Sequence, residues 1–201
     1  GPIVATPATD GTRVFVGTRA GTFCAVEAAT GKVLWRYAAG GAVTGGACVS
    51  EGRVAFGDFS GRVHALDVAT GKLTWKQACA VGGPVVAAPI LVGSVLYGGT
   101  EDGKVWGVDW AEGFLGWQEN LSGGGEVRRP PLFADDTLFF TSQQRNALNA
   151  AGVSQVFRGS TVSFKMADSP AQKCLQAAEP VTVDGKLDEP SWALAQRLPV
   201  F

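Results

Sequence analysis

The chain has 201 residues, with 17 Lys and Arg against 18 Asp and Glu, and a formal net charge of −1. This length can bury a sizeable core, and the near-neutral balance argues against a nucleic acid or an anionic membrane surface as partner. The longest apolar run, residues 85–92, is far shorter than the roughly 20 residues of a membrane-spanning helix. The first residues show no signal-peptide pattern, so we interpret the chain as a piece of a longer protein.

One segment recurs along the chain. Residues 21–35 return as residues 61–75 and again as residues 103–117, and the second interval is slightly longer than the first. Upstream of each copy lies a second shared element, which we align at residues 13–17, 53–57, 94–98 and 137–141. The fourth copy decays toward Phe157, which stands where the others carry Trp. Four repeats therefore fill residues 1–158.

Each repeat consists of short β-branched and aromatic runs separated by turn residues, which predicts β-strands rather than helices. We assign four strands to each repeat, in the second copy at residues 43–49, 53–57, 62–67 and 72–77. Four antiparallel strands in about 40 residues are typical of one β-propeller blade. The predicted fold class is all-β: a partial β-propeller of four-stranded antiparallel blades, followed by the start of a second β-rich module.

Several turn and aromatic residues fit this blade. Gly31 and Gly71 are predicted to adopt the left-handed conformation in the last hairpin of their repeats. The carboxylates of Glu27 and Asp67 can accept turn N–H groups there. A large aromatic side chain closes each of the first three repeats, and we expect these three to act as anchors between blades: Trp35, Trp75 and Trp117.

The pattern Ala-x-Asp-x-x-Thr-Gly-Lys-x-x-Trp, intact at residues 65–75, resembles the tryptophan-docking repeat of the pyrroloquinoline-quinone (PQQ) type propellers. That family includes quinoprotein alcohol and glucose dehydrogenases and an outer-membrane assembly lipoprotein with no cofactor, so the resemblance implies architecture rather than chemistry. Family propellers usually close with seven or eight blades. The resemblance therefore implies further blades upstream in the parent chain.

The loops between second and third strands, together with the links between blades, should emerge at one rim of the propeller. Binding sites are often built from such loops over a rigid scaffold. Arg128 and Arg129 are the sharpest pair and would suit an anionic ligand or protein carboxylates. The full set of predicted binding residues is Arg19, Asp58, Phe59, Glu101, Asp102, Arg128, Arg129, Gln143 and Arg145.

Catalytic and metal-binding signals are weak. His64 is the one histidine and replaces Cys24 and Trp106 of the neighbouring copies, which favours a packing role. The four cysteines, at positions 24, 48, 79 and 174, form no C-x-x-C pair, and we expect buried thiols, with a disulfide as the alternative. The adjacent cysteines that resemblance to PQQ alcohol dehydrogenases would imply are missing, so no catalytic residue, metal or cofactor is assigned. PQQ with Ca²⁺ is the alternative.

The repeats give way to another kind of sequence. Residues 159–179 are interpreted as a strand and linker. Residues 180–201, with Val-Asp-Gly-Lys-Leu-Asp-Glu-Pro-Ser-Trp at 183–192, resemble the truncated N-terminal opening of family 9 carbohydrate-binding modules. Asp184, Asp188 and Glu189 suit turn and cap roles, with a structural Ca²⁺ site as the alternative.

The leading hypothesis is a non-catalytic, extracytoplasmic β-propeller part of a multidomain bacterial protein, periplasmic, secreted or on the cell surface. It would serve binding or scaffolding for a protein or carbohydrate partner. Two alternatives stay open: a fragment of a PQQ-dependent alcohol or sugar dehydrogenase, and a scaffold like the outer-membrane assembly factor. Whether the parent is an enzyme is undecided, with the balance toward none.

Overall fold

The computed structural model describes residues 1–121, 125–134 and 137–143, which all belong to one compact unit. The first sheet contains β1 (Ala8–Thr9), β2 (Arg13–Gly17), β3 (Thr22–Glu27) and β4 (Val33–Ala38). The second contains β5 (Ala47–Ser50), β6 (Arg53–Gly57), β7 (Arg62–Asp67) and β8 (Cys79–Ala80). The third contains β9 (Ile90–Val92), β10 (Val95–Gly99), β11 (Lys104–Asp109) and β12 (Leu115–Asn120). A two-stranded sheet of β13 (Leu132–Ala134) and β14 (Thr137–Phe139) follows.

Each of the first three sheets is an antiparallel meander in chain order, with every strand paired to its sequence neighbours. Strand β5 of the second sheet lies beside β1 of the first and β9 of the third. The sheets are therefore consecutive propeller blades whose first strands lie side by side. This confirms the predicted all-β class and the four-stranded blades.

The predicted strand at residues 72–77 is wrong. The second blade carries only an isolated bridge between Leu66 and Leu73 there, and its last strand is displaced to β8. The buried Ala39 is the fourth residue after Trp35, whereas the equivalent Val81 is the sixth after Trp75. The two extra residues cannot pair in the ladder and interrupt the strand. They also account for the longer interval between the second and third copies of the repeat.

The predicted strand 43–49 begins later, at Ala47, because Val43 contacts the preceding blade instead. Its amide donates to the Thr18 carbonyl at 3.0 Å, and its side chain fills the space above Gly17, where a Cβ would lie 2.3 Å from Val43 Cγ1. Glycine is required at this position because any side chain would overlap the valine.

The same contact recurs between later blades. A Cβ on Gly57 would lie 2.1 Å from Val85 Cγ1, and one on Gly99 would lie 2.4 Å from Val127 Cγ1. The predicted alignment of residues 94–98 is therefore wrong by one residue, since Gly99 rather than Gly98 occupies the place of Gly57. A valine after each blade packs on the last glycine of the second strand of the blade before it.

Tryptophans join the blades at the opposite end. Trp35 of the first blade donates its indole N–H to the Val68 carbonyl of the second at 3.0 Å. Trp75 of the second blade donates to the Trp110 carbonyl of the third, also at 3.0 Å. Each ring lies on the hairpin glycine of the next blade, because a Cβ on Gly71 would meet Trp35 at 2.5 Å. Both tryptophans thus contact the following blade, in the place where the sequence predicts anchors between blades.

The hairpins that carry Gly31 and Gly71 have the following geometry. Gly31 and Gly71 have φ of 74° and 70° in the left-handed region, and the Asp67 carboxylate accepts the Thr70 amide at 2.7 Å. Glu27 differs in detail, since its carboxylate accepts the hydroxyl of Thr30.

Candidate functional site

The antiparallel order places two kinds of loop at one end of the blades. These are the hairpins between second and third strands, at residues 18–21, 58–61 and 100–103, and the links between blades, which start at residues 39, 81 and 121. We call this end the rim. The hairpins that carry Gly31, Gly71 and Gly113 lie at the opposite end. The rim is the surface where the sequence places its candidate binding residues.

One side-chain oxygen closes each rim hairpin. Thr18 accepts the Thr22 amide at 3.1 Å, Asp58 accepts the Arg62 amide at 3.2 Å, and Thr100 accepts the amide of Lys104 at 3.0 Å. The acceptor and the amide are four residues apart in every case. The three hairpins therefore share the same backbone conformation, with aspartate in the second blade taking the place of the threonine in the first and third.

The structure places Asp58 beneath the rim rather than on it, since its side chain is completely buried. Its carboxylate accepts from the Ser60 amide at 2.8 Å and lies 2.9 Å from His64 Nε2. His64 Nδ1 lies 3.1 Å from the hydroxyl of Tyr37, which comes from the first blade. With its proton on Nε2, the ring donates to Asp58 and accepts from Tyr37, so both nitrogens are satisfied.

This network is structural. Burial raises the pKa of Asp58, but hydrogen bonds from His64, Ser60 and the Arg62 amide outweigh that effect and hold the pKa below its ordinary value. His64 is also stacked on Phe56, with ring centroids 5.0 Å apart. The predicted packing role of His64 agrees with this geometry, and its polar atoms link the first two blades.

The residue that directly follows the closing residue of each hairpin differs in chemical type from blade to blade. Arg19, Phe59 and Glu101 occupy equivalent positions, because each donates its amide to the link before its blade: to Pro2 O at 3.0 Å, Ala42 O at 2.8 Å and Pro84 O at 2.7 Å. The Phe59 side chain is 48% exposed, and Arg19 is exposed as well. One backbone position therefore carries a cation, an aromatic ring and an acid in successive blades, although the Glu101 side chain is only 11% exposed and pairs with Arg128.

The two arginines of the predicted pair, Arg128 and Arg129, have different surroundings. Arg128 forms ion pairs with Glu101 of the third blade and with Glu126 beside it, so its charge is balanced by two carboxylates. Arg129 is exposed. The backbone of Gln143 pairs with that of Glu126 in both directions. Arg145 lies outside the described residues.

Asp102 is held on the rim by a second ion pair. Its carboxylate lies 2.7 Å from Lys104 Nζ, which also donates to the Gly82 carbonyl of the previous link at 2.7 Å. Burial raises the pKa of Asp102, but the hydrogen bonds from Lys104 and Thr100 outweigh that effect and hold the pKa below its ordinary value. Through these two contacts Lys104 fixes the hairpin to the neighbouring link.

Among the described residues, no group of three or more His, Cys, Asp and Glu could hold a metal ion. Cys24, Cys48 and Cys79 are free thiols, and burial raises the pKa of Cys79 to about 11, which makes it a poor nucleophile. The described part of the chain also contains no helix that could span a membrane.

Residues 1–166 match the family model described as "Outer membrane protein assembly factor BamB". The chain belongs to this family. The match covers the whole of the repeat region, and residues 180–201 with their carbohydrate-binding-type pattern lie outside both the match and the described residues. A search of curated protein sequences returns no match.

Solved structures share the fold. BamB from Moraxella catarrhalis aligns with TM-score 0.58 at 23% identity, over 69% of this chain and 41% of that one. Quinohemoprotein alcohol dehydrogenase from Comamonas testosteroni aligns with TM-score 0.62 at 20% identity, over 71% and 29%. The computationally designed Ika4 protein aligns with TM-score 0.61 at 20% identity, over 79% and 91%. The chain thus spans less than half the length of these natural propellers.

Sequence reasoning missed three contributors to the rim: Tyr37, Lys104 and Glu126. Tyr37 follows Trp35 by two residues and so points to the same face of β4, which is a signal the sequence contains. The pairing of Lys104 with Asp102, two residues away, was also accessible. The pairing of Glu126 with Arg128 depends on the path of a long link and has no such signal.

Proposed function

We propose that this chain is a binding or scaffolding part of an extracytoplasmic β-propeller, whose rim binds a protein partner. The variation at one rim position carries the proposal, because Arg19, Phe59 and Glu101 differ in chemistry on an equivalent backbone. Packing constraints do not require a half-exposed phenylalanine there. Recognition surfaces on rigid scaffolds are built in this way.

A protein partner fits this rim better than a small molecule. The exposed ring of Phe59 lies on one hairpin, and two ion pairs lie on the hairpin of the next blade. A surface that combines an exposed aromatic residue with charged groups is typical of protein interfaces. The extracytoplasmic location rests on the family description, which names assembly of outer membrane proteins.

The quinoprotein alternative would require acidic ligands for Ca²⁺ in addition to a quinone pocket. The described residues contain no cluster of three or more potential ligands, so a Ca²⁺ site would need ligands from other parts of the parent protein. A sugar-binding role would rest in the same way on residues 180–201.

The test is selection of binding peptides from a displayed random library against the chain, followed by measurement of Kd for rim and control variants. We expect Phe59→Ala to weaken the selected peptides about tenfold or more, as an aromatic hot spot would. The matched control is Phe114→Ala, since Phe114 is 46% exposed at the opposite end. Equal affinity of the two variants would contradict the proposal.

Calorimetric titrations with PQQ plus Ca²⁺ and with soluble oligosaccharides decide between the alternatives. Heat of binding with the quinone would move the chain toward the dehydrogenases. Binding of a sugar, retained in Phe59→Ala, would place the sugar site away from the Phe59 hairpin.

A further inference from the structure

The rim of the first two blades carries positive charge that no acid of these blades balances. Arg19 and Arg62 are exposed, and neither forms an ion pair among the described residues. The fully described residues 1–82 contain five carboxylates. One of them, Asp58, is completely buried and holds its own hydrogen-bond donors. The other four lie in or beside hairpins at the opposite end: Asp10, Glu27, Glu51 and Asp67. Both arginines therefore reach the surface without an acidic partner from these blades.

The third blade balances the equivalent cation within its own hairpin. Lys104 occupies the position of Arg62, and the Asp102 carboxylate lies 2.7 Å from its Nζ. The second blade has Ser60 in place of Asp102. The Ser60 hydroxyl donates to the buried Asp58 carboxylate at 2.6 Å, so it offers no charge to the surface. The second hairpin thus retains the cation and lacks the acid that would neutralise it.

The exposed side chains come from hairpins that lie side by side. The amide of Val43 donates to the Thr18 carbonyl at 3.0 Å, at the start of the hairpin that carries Arg19. The amide of Phe59 donates to the Ala42 carbonyl at 2.8 Å. Two adjacent link residues therefore join the two hairpins, and the half-exposed Phe59 ring belongs to the same surface as the guanidinium of Arg19.

Arg62 extends from the second blade toward the first. Burial raises the pKa of Tyr37 in β4, the Asp58 carboxylate adds to that effect, and the Arg62 guanidinium opposes it. The guanidinium therefore lies close to the first blade. Two cations without an ion pair and one exposed aromatic ring thus lie at the boundary between these two blades.

We propose that the surface formed by Arg19, Phe59 and Arg62 binds an acidic peptide segment of a partner protein, with an apolar side chain between its carboxylates. The inference rests on the proposed function and names the chemistry of the partner. A guanidinium group donates two parallel hydrogen bonds to a carboxylate, and an apolar side chain placed on the Phe59 ring would be removed from water. Nucleic acids are bound through many phosphate contacts, which two arginines in a near-neutral chain do not supply.

The first test selects binders from two displayed peptide libraries that differ only in charge. Both keep a central leucine, and the flanking positions carry Asp or Glu in one library and Lys or Arg in the other. We expect binders from the acidic library alone, and Phe59→Ala should weaken them about tenfold or more. Basic binders that depend on Phe59 to the same extent would overturn the inference and leave rim binding intact. The absence of Phe59-dependent binders from both libraries would contradict the proposed function as well.

The second test measures the Kd of a synthetic acidic binder for charge variants of the chain. Arg62→Gln should weaken binding about threefold to tenfold, and added salt should reduce the difference. Lys72→Gln removes the same charge from an exposed residue at the opposite end and is the matched control, with an unchanged Kd. An equal loss in the two variants would show that only the net charge matters and would overturn the inference.

A charge swap tests the contact itself. Arg19→Glu should weaken binding of the acidic peptide about tenfold or more, because like charges repel, and should regain affinity for a peptide in which one Glu is replaced by Lys. Recovery of affinity also shows that the variant is folded. Inorganic polyphosphate at matched charge should not displace the acidic peptide from the wild-type chain. Lack of recovery, or complete displacement by polyphosphate, would overturn the inference.

Discussion

The interface between the first and second blades and the interface between the second and third share their anchors but not their centre. Each has a tryptophan bonded to a carbonyl of the next blade and a valine packed on a glycine. In the first interface, Phe23 stacks on Phe56 with centroids 3.8 Å apart, and His64 adds its polar network. In the second, Trp106 takes the place of His64 within a cluster that also buries Trp75.

The difference shows which parts of the repeat are constrained. The anchors involve backbone carbonyls and glycines, whose geometry is set by the blade and leaves little freedom to the residue that meets them. The centre only has to be filled at normal packing density, so a histidine with hydrogen-bonding partners and a tryptophan are both accepted. Substitutions at the anchors should therefore lower the free energy of unfolding more than substitutions of polar groups at the centre of an interface.

The largest effect is expected for Trp75→Ala. The side chain is 4% exposed and donates to the Trp110 carbonyl, so its loss leaves a cavity and an unpaired acceptor. We expect the free energy of unfolding to fall by about 3–5 kcal/mol, measured by urea denaturation. A wild-type midpoint would contradict the docking role of this residue.

Gly57→Ala should have the next largest effect and lower the free energy of unfolding by about 3 kcal/mol, because the new methyl group would overlap the Val85 side chain. The double variant Gly57→Ala with Val85→Ala makes room for the methyl and should recover part of the loss. The double-mutant cycle measures this coupling. Strictly additive effects would show that the two residues do not meet.

Asp58→Asn tests the polar centre of the first interface. Both carboxylate oxygens accept from donors, and the amide nitrogen that replaces one of them cannot. We expect a loss of about 2 kcal/mol at neutral pH, measured by urea unfolding. Glu119→Gln, an exposed position on β12, is the control and should change little.

The same variant has a defined pH dependence. The folded pKa of Asp58 is lowered, so its stabilisation is complete above the ordinary carboxyl pKa of about 3.9 and is lost as pH falls through the folded pKa. The gap between wild type and Asp58→Asn should therefore narrow below about pH 4. A gap that stays constant down to acid unfolding would show that the charge of Asp58 contributes nothing.

The smallest effect is expected for Lys104→Gln. The ion pair with Asp102 is partly exposed, at 26% and 44% for the two side chains, so its loss should cost less than about 1 kcal/mol. Raising the salt concentration should reduce this difference. A larger, salt-independent loss would indicate that the contact to the Gly82 carbonyl is the main term.

Much of this architecture can be predicted from the sequence because each repeat contains residues that mark where its strands end. The Thr-Gly-Lys turn and the following tryptophan locate the last hairpin of each blade, and the interval between copies gives the blade size. The wrong prediction of a strand at residues 72–77 shows the limit of sequence-based prediction. Strand propensity alone does not reveal which residues an insertion removes from the hydrogen-bonded ladder. The longer interval before the third copy records that insertion but does not locate it.

The rim is less predictable than the scaffold. The order of strands brings Arg19, Phe59 and Glu101 to one end of the blades. Burial of Asp58 depends on His64 and Tyr37 from two blades meeting around it, and neutralisation of Arg128 depends on Glu101 from the neighbouring blade. Contacts between blades decide these outcomes, and the sequence of one repeat does not contain them.

The most direct test of tryptophan docking is the difference in unfolding free energy between Gly113→Ala and Gly31→Ala in this chain. Both glycines are left-handed, with φ of 75° and 74°, so the backbone strain of about 1–2 kcal/mol is common to the two variants. Of these two glycines, Gly113 lies under Trp75, whereas a Cβ on Gly31 would meet no atom of the described residues within 4 Å. We expect Gly113→Ala to lower the free energy of unfolding by about 1–3 kcal/mol more than Gly31→Ala, and equal losses would contradict tryptophan docking.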